Sequence, residues 1–316
     1  MNGGILGVNR RVIVTIFILL FIVAFVSFYV FIGFEFEIGV TQSWGMVTPE
    51  TTEIKTVIAI YNPTILSRWL KKIEFDLYIN GLKITSGTFE NGVEVKPLGK
   101  TEVSLISFLN NSCIYELWVL YLKKDEFNVT LFGNLTFASM LRDMVCPITY
   151  NTVTHTPLME LLGLNQPKDI QAGSANMTLK ALKLSWGEAT SVETKIYVDA
   201  SIYNPNNYPI TIKKVNYTIE MNGIRMGEGV AYNQTVIEAK TDGNVSFTAI
   251  VNNTMLSDWW AAFLRNDQVA RVCVNIRGVA EYSGIECGFI IAEEEAEASI
   301  RILSGTISYG FYIPIL

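Results

Sequence analysis

The chain has 316 residues, of which half are hydrophobic and 17% charged, with a formal net charge of −6. That length leaves room for two ordinary domains and a little more. Its basic residues form no run longer than two, which argues against nucleic acid as a partner, since a nucleic-acid groove requires a basic stripe. One His and four Cys without a CxxC pair argue against a zinc site and against histidine-based chemistry, so no cofactor and no metal is expected.

Asn9-Arg10-Arg11 precedes an uncharged apolar run from Val12 to Phe34. About 20 helical residues cross the hydrocarbon core of a bilayer, so this run is long enough to span one. Arg10 and Arg11 on one flank, with Glu35 and Glu37 on the other, put the N-terminus in the cytoplasm and the remainder outside. A cleaved signal peptide would have a shorter apolar core, about 7–15 residues, ending at a small-residue site. Ala24-Phe25-Val26-Ser27 is a poor site in mid-run. The expectation is a retained signal-anchor helix in the cell membrane.

Beyond that span the chain repeats itself. Ser43-Trp44-Gly45 returns as Ser185-Trp186-Gly187, and Tyr61-Asn62-Pro63 as Tyr203-Asn204-Pro205. Lys71-Lys72-Ile73 matches Lys213-Lys214-Val215, Asn80-Gly81 matches Asn222-Gly223, and Gly87 matches Gly229. Each pair lies 142 positions apart, and the register persists through Asn110/Asn252, Trp118/Trp260, Leu122/Leu264 and Asp125/Asp267.

Strands are expected at Glu53–Tyr61 and Glu193–Tyr203, each ending at Asn-Pro, because proline cannot donate a ladder hydrogen bond. Ile73–Ile79 and Val215–Met221 alternate apolar and polar and run into Asn-Gly, the strongest short hairpin signal. Further strands follow from Leu82 and Ile224, at Val103–Phe108 and Val245–Val251, and at Glu126–Phe137 and Gln268–Tyr282. Between them, Ser112–Lys123 and Thr254–Arg265 are helix-length segments with capping residues before them and a basic residue at the end. Met255, Trp259, Ala262 and Phe263 share one helical face, which reads as core packing. The fold class expected is mainly β: two tandem β-sandwiches, each with one helix, behind a transmembrane helix. The boundaries are 1–34 for the cytoplasmic tip and anchor, 35–150 for the first sandwich, 151–175 for a linker and 176–316 for the second sandwich.

No catalytic residue is expected. Leu98-Gly99-Lys100-Thr101 lacks the first glycine of a phosphate loop, since Glu94 stands there, and it precedes a strand. His155 reads as a surface residue, and Glu293–Glu297 as a solvated charge run. Eight N-x-S/T sequons begin at Asn110, Asn128, Asn134, Asn176, Asn216, Asn233, Asn244 and Asn252. About three would arise by chance, and all eight lie beyond the span, so a glycosylated ectodomain is expected. Cys113, Cys146, Cys273 and Cys287 are disulfide candidates, with Cys113–Cys146 and Cys273–Cys287 as one of three possible connectivities.

Asn-Pro, a short spacer, Lys-Lys-Ile/Val, a strand, Asn-Gly and a closing Gly together resemble the late embryogenesis abundant type 2, or WHy-domain, family. Asn204-Pro205 through Gly229 fits the pattern closely, while Asn62-Pro63 through Gly87 carries Leu66-Ser67-Arg68-Trp69 in place of the usual Tyr-Pro element. The resemblance implies an immunoglobulin- or fibronectin-like sandwich, a connection to water stress and an archaeal source, and it brings no catalytic residue with it. The function expected is non-enzymatic binding or protection at the cell envelope. One alternative is a subunit of a surface filament or layer assembling through the N-terminal helix. The other is a carrier of lipid or another apolar ligand. The partners expected are the membrane, other copies or envelope proteins, and N-linked glycans.

Overall fold

The computed structural model describes residues 17–23, 34–138, 142–155, 158–161, 167–232, 234–303 and 306–313. The predicted span 12–34 lies outside the described residues except for a helical piece at 17–23 and the final Phe34. Among the described residues no helix is long and apolar enough to cross a membrane.

In the first repeat β1 (Phe34–Val47), β2 (Thr51–Asn62), β3 (Arg68–Ile79), β4 (Leu82–Phe89), β5 (Val93–Val95) and β6 (Gly99–Asn110) lead into α1 (Ile114–Tyr121), then β7 (Glu126–Phe137) and β8 (Met144–His155). A helical turn at Leu158–Leu161 and β9 (Lys168–Ala172) follow. The second repeat comprises β10 (Ala175–Ala189), β11 (Glu193–Tyr203), β12 (Ile210–Met221), β13 (Ile224–Ala231), β14 (Thr235–Ile237), β15 (Asp242–Asn252), α2 (Leu256–Arg265), β16 (Val269–Tyr282) and β17 (Ile285–Ser299). The last strand is β18 (Thr306–Ile313).

Each repeat makes two antiparallel sheets in the same order. The first has β18-β1-β2-β6 and β4-β3-β7-β8; the second has β9-β10-β11-β15 and β13-β12-β16-β17. The alternation seen in the sequence becomes alternating burial, as in β2, where Ile54, Ile58 and Ile60 turn inward while Glu53, Lys55 and Tyr61 turn out. The inner faces meet across stacked rings, Phe36 on Phe137 in one unit and Tyr217 on Phe247 in the other.

Two segments depart from expectation. Residues 151–175 are not a bare linker: they hold the end of β8, the turn at Leu158–Leu161, which buries Leu158, and β9, which pairs with β10. The C-terminal strand β18 does not stay with the second repeat but pairs with β1 of the first, Phe34 opposite Ile313 through Thr41 opposite Thr306. It fills beside β1 the place that β9 fills beside β10. An extra residue prepares this return. Ile79 stands opposite Val129, but Met221 stands opposite Val272, so the second repeat has gained one position, at Gln268. Gln268 holds the tail that leads to β18: its backbone carbonyl accepts from Ile300 N–H, and its side-chain oxygen accepts from Ile302 N–H at 2.9 Å and from Leu303 N–H at 3.4 Å.

The two units meet through their helices. Trp118 of α1 donates its indole N–H to Thr194 Oγ1 on β11 at 3.0 Å, and Trp260 of α2 donates to Thr52 Oγ1 on β2 at 3.2 Å. Thr194 donates in turn to Asn253 Oδ1 at 3.0 Å, and Thr52 to Asn111 Oδ1 at 2.9 Å. Asn253 and Asn111 then donate to turn carbonyls, Thr190 O and Thr48 O. Every member of one relay lies 142 positions from its counterpart, so the contact is self-complementary in the manner of a two-fold dimer. Trp44 stands edge-on to Trp260 at 5.6 Å and Trp186 edge-on to Trp118 at 5.5 Å. Further bonds across the junction break the symmetry: Trp186 Nε1 donates to Asp125 Oδ1, Arg265 Nη2 to Val47 O, and Ser257 Oγ to Asn111 O, where the first repeat has Tyr115 in the place of Ser257.

Both threonines are fully buried. Thr52→Val or Thr194→Val preserves volume but leaves an indole N–H and an amide oxygen without partners in a dry junction. At about 1–3 kcal/mol for each of the two groups, each variant loses about 2–6 kcal/mol of stability, which urea titration followed by tryptophan emission reads. The two substitutions cost alike.

Candidate functional site

The motif residues turn out to build turns. Asn62 and Asn204 are fully buried at the ends of β2 and β11. Asn62 Nδ2 donates to Leu66 O at 2.8 Å, and its Oδ1 accepts from Thr64 N–H at 3.0 Å. Asn204 Nδ2 donates to Tyr208 O at 2.8 Å and Ile237 O at 3.0 Å, and its Oδ1 accepts from Asn206 N–H. Each asparagine therefore ties the loop after Pro63 or Pro205 to the strand before it, an Asx-turn with an extra long-range bond. Asn80 and Asn222 take left-handed φ of 50° and 48° ahead of Gly81 and Gly223, as the hairpin turn requires. Their Nδ2 groups reach Glu126 O and Val269 O on the neighbouring strand. Gly87 and Gly229 lie under the side chains of Phe75 and Tyr217, where a Cβ would meet a Phe75 ring carbon at 2.3 Å and the Tyr217 hydroxyl oxygen at 2.5 Å.

The sequons scatter over the surface. Asn134, Asn176 and Asn244 are exposed on strands, while Asn128 and Asn216 are half-buried. Asn110 and Asn252 are helix caps, each Oδ1 accepting a backbone N–H two residues on. Asn233 lies outside the described residues. Asn134 and Asn216 line corresponding troughs on the outer faces of the β3 and β12 sheets, of about 550 and 280 Å³. Of the acidic run, Glu295 and Glu297 pair with Arg271 across the β16–β17 ladder, and His155 is exposed at the end of β8.

All four cysteines are free thiols. Register overturns the Cys273–Cys287 bridge: Cys273 stands opposite Glu295, and Cys287 opposite Ala280. Seven ladder positions between them amount to about 23 Å at roughly 3.3 Å per residue, whereas a disulfide needs Cα atoms within about 7 Å. Cys113 precedes α1, and Cys146 is buried on β8 opposite Leu135.

An apolar cavity of about 20 Å³ lies between the sheets of the second unit, lined by Leu184, Val198, Tyr217, Phe247 and Ile276. Met159 from the helical turn closes it. Its volume is that of about one water molecule. The sequence reading also missed a group of exposed apolar side chains at the far end of the first unit, namely Ile65, Leu66, Trp69 and Leu98. Comparison of the two repeats residue by residue, rather than for matches alone, is the signal that would have found them.

Burial pushes the Cys113 thiol up to about 11, with the Glu116 carboxylate adding to it, and burial alone does the same for Cys146. Both stay protonated and unreactive near neutrality, since the thiolate is the nucleophile. The folded chain keeps these protons at a pH where the unfolded chain has released them. Stability is therefore undiminished by these thiols below about 9 and falls as pH rises from about 9 to about 11. A series of thermal midpoints across that range shows the decline, and its slope is smaller in Cys113→Ala/Cys146→Ala.

Among curated proteins none matches the chain. A crystal structure of a protein from Archaeoglobus fulgidus is similar at 26% identity and a TM-score of 0.37, over 38% of this chain and 96% of that one. The solution structure of an Arabidopsis thaliana protein is similar at 17% identity and a TM-score of 0.33, over 38% of this chain and 82% of that one. A Bacteroides uniformis beta-glucuronidase matches at 10% identity and a TM-score of 0.25, with 26% of the enzyme covered. Residues 199–288, which run from β11 into β17 of the second repeat, match the family model described as late embryogenesis abundant protein.

Proposed function

We propose that this chain is a non-enzymatic, membrane-anchored extracellular protein of the late embryogenesis abundant type 2 kind. Its two immunoglobulin-like sandwiches act by binding or shielding at the cell envelope, with water stress as the setting that the family suggests. One observation carries the anchor. Residues 17–23 are helical, and their seven consecutive apolar side chains, Phe17 through Val23, are 53–72% exposed. An apolar helix that is not buried in its own protein needs an apolar surrounding, and the uncharged run 12–34 to which it belongs has the length of a bilayer span.

The body behind the anchor favours binding or shielding over carriage. The cavity of about 20 Å³ is far below the roughly 300 Å³ of a small-molecule site, so an apolar ligand would first have to displace Met159. The filament alternative needs a free sheet edge or helix packing between copies. β18 of the same chain lies along β1, which favours a closed body over strand exchange there.

The reading predicts that the chain stays with the membrane through alkaline carbonate washing and leaves only with detergent. Protease added to intact cells then removes both repeats, and mass spectrometry finds glycans on the exposed Asn134, Asn176 and Asn244. Release by carbonate, or protection of both repeats in intact cells, contradicts it. Ordered filaments in sheared surface material would favour the assembly alternative.

A further inference from the structure

The two repeats share a backbone but differ at one end in a specific way. In the first unit the β2–β3 loop exposes Ile65 (78%), the start of β3 exposes Trp69 (50%) and the β5–β6 turn exposes Leu98 (63%), with Leu66 and Tyr61 beside them at 37% and 39%. The counterparts 142 positions on are Asn207 for Ile65, Thr211 for Trp69 and Lys240 for Leu98. The loops themselves are built alike. Asn62 and Asn204 tie them down in the same way, and Leu98 and Lys240 both take left-handed φ, 48° and 61°. A left-handed conformation is unfavourable for a bulky residue, and exposure of Leu98 adds a second cost. Nothing in the shared turn calls for leucine there, because lysine occupies the same place in the other copy.

The register shows where this end of the unit faces. Glu37 on β1 stands opposite Tyr61 on β2, and Tyr61 opposite Lys100 on β6. The loop after Asn62, the turn before Gly99 and the start of β1 at Phe34 thus leave the sheet from the same end. Phe34 is the last residue of the apolar run, so the bilayer that holds the run lies at this end. The opposite end of β2, at Thr52, is the junction with the second unit. β11 likewise runs from the junction at Thr194 to its own loop at Asn204, so Asn207, Thr211 and Lys240 stand at the end away from the bilayer, where the exposed apolar side chains are Tyr232 and Val236 of the β13–β14 edge.

We infer that Ile65, Trp69 and Leu98 form a membrane-seating rim that inserts into the interfacial layer of the bilayer next to the anchor and fixes the tilt of the extracellular body. Tryptophan prefers that layer, where its ring meets acyl chains and its N–H meets headgroups and water. The inference rests on the anchored reading above. It adds a second contact, made by the folded domain itself.

Tryptophan emission tests it, because the other five tryptophans (Trp44, Trp118, Trp186, Trp259 and Trp260) belong to the inter-repeat junction or pack against it. The full chain is reconstituted into phosphatidylcholine vesicles whose acyl chains carry bromine near the headgroup, and insertion is checked by flotation. The expected result is bromine-dependent quenching in the native chain and its loss in Trp69→Phe. Quenching does not return in Trp69→Phe/Thr211→Trp, which moves the indole to the start of β12 at the distal end. Equal emission in brominated and plain vesicles from a chain that floats overturns the rim and leaves the anchor in place. Equal quenching of the Thr211→Trp probe also overturns it, since the body would then lie without a preferred end. A chain that does not float with the vesicles overturns the anchor and the rim together.

Discussion

A buried indole N–H must find an acceptor, and the architecture of this chain depends on where two of them find it. Trp118 and Trp260 look outward from their own helices, and each bonds a threonine hydroxyl in the other repeat. Either unit alone would leave its indole N–H without the threonine acceptor, while the Thr52–Asn111 and Thr194–Asn253 bonds stay within one repeat each and hold the acceptor hydroxyls in place, so each copy is the cap of the other. The cost of an unmade buried hydrogen bond exceeds the net gain of a made one, and this asymmetry holds the two copies in one orientation. Self-complementarity follows from duplication: a surface that docks on its own copy after a two-fold rotation needs to evolve only once.

Later divergence then divided the work. The second repeat carries Gln268, which the first lacks and which anchors the tail at Ile300, Ile302 and Leu303, and from there β18 crosses back to cover β1. In the first repeat Ile65, Trp69 and Leu98 stand where the second has Asn207, Thr211 and Lys240, and the second has Tyr232 and Val236 where the first has Glu90 and Glu94. One copy thus provides the closing strand and the other the edge it covers. β18 returns from the end of the second unit to β1, so pairing between the first and the last strand among the described residues completes the first sheet. Such long-range closure costs loop entropy that the contacts of β18 with β1 must offset.

Much of this was legible in the chain. Glu193–Tyr203 and Glu126–Phe137 are strands with the bounds that alternation and Asn-Pro punctuation set. Both helices begin within a few residues of the expected caps. The repeat revealed which residues matter, but not why. Trp118 and Trp260 served as register marks, and their threonine partners went unnoticed because Thr52 and Thr194 sit in ordinary strand patterns. β8 was hidden by Pro147, which is tolerated because β8 is an edge strand. β9 was hidden by its length and by the Pro, Gly and polar residues before it. Alternation gives the face of a strand and not its neighbour, so neither the partner of β18 nor the ladder distance between Cys273 and Cys287 could be read locally.

The central claim is that the two repeats form one body through the indole–threonine relays. Amide hydrogen exchange of the full chain in a bilayer, read by mass spectrometry on the native protein and on Thr52→Val, tests it most directly. The account predicts that amides around Thr52 and around Thr194 belong to the same slowest-exchanging class. It also predicts that Thr52→Val speeds exchange in α2 and β11 of the second repeat as well as in β2. Acceleration confined to the first repeat, with the second unchanged, would contradict it.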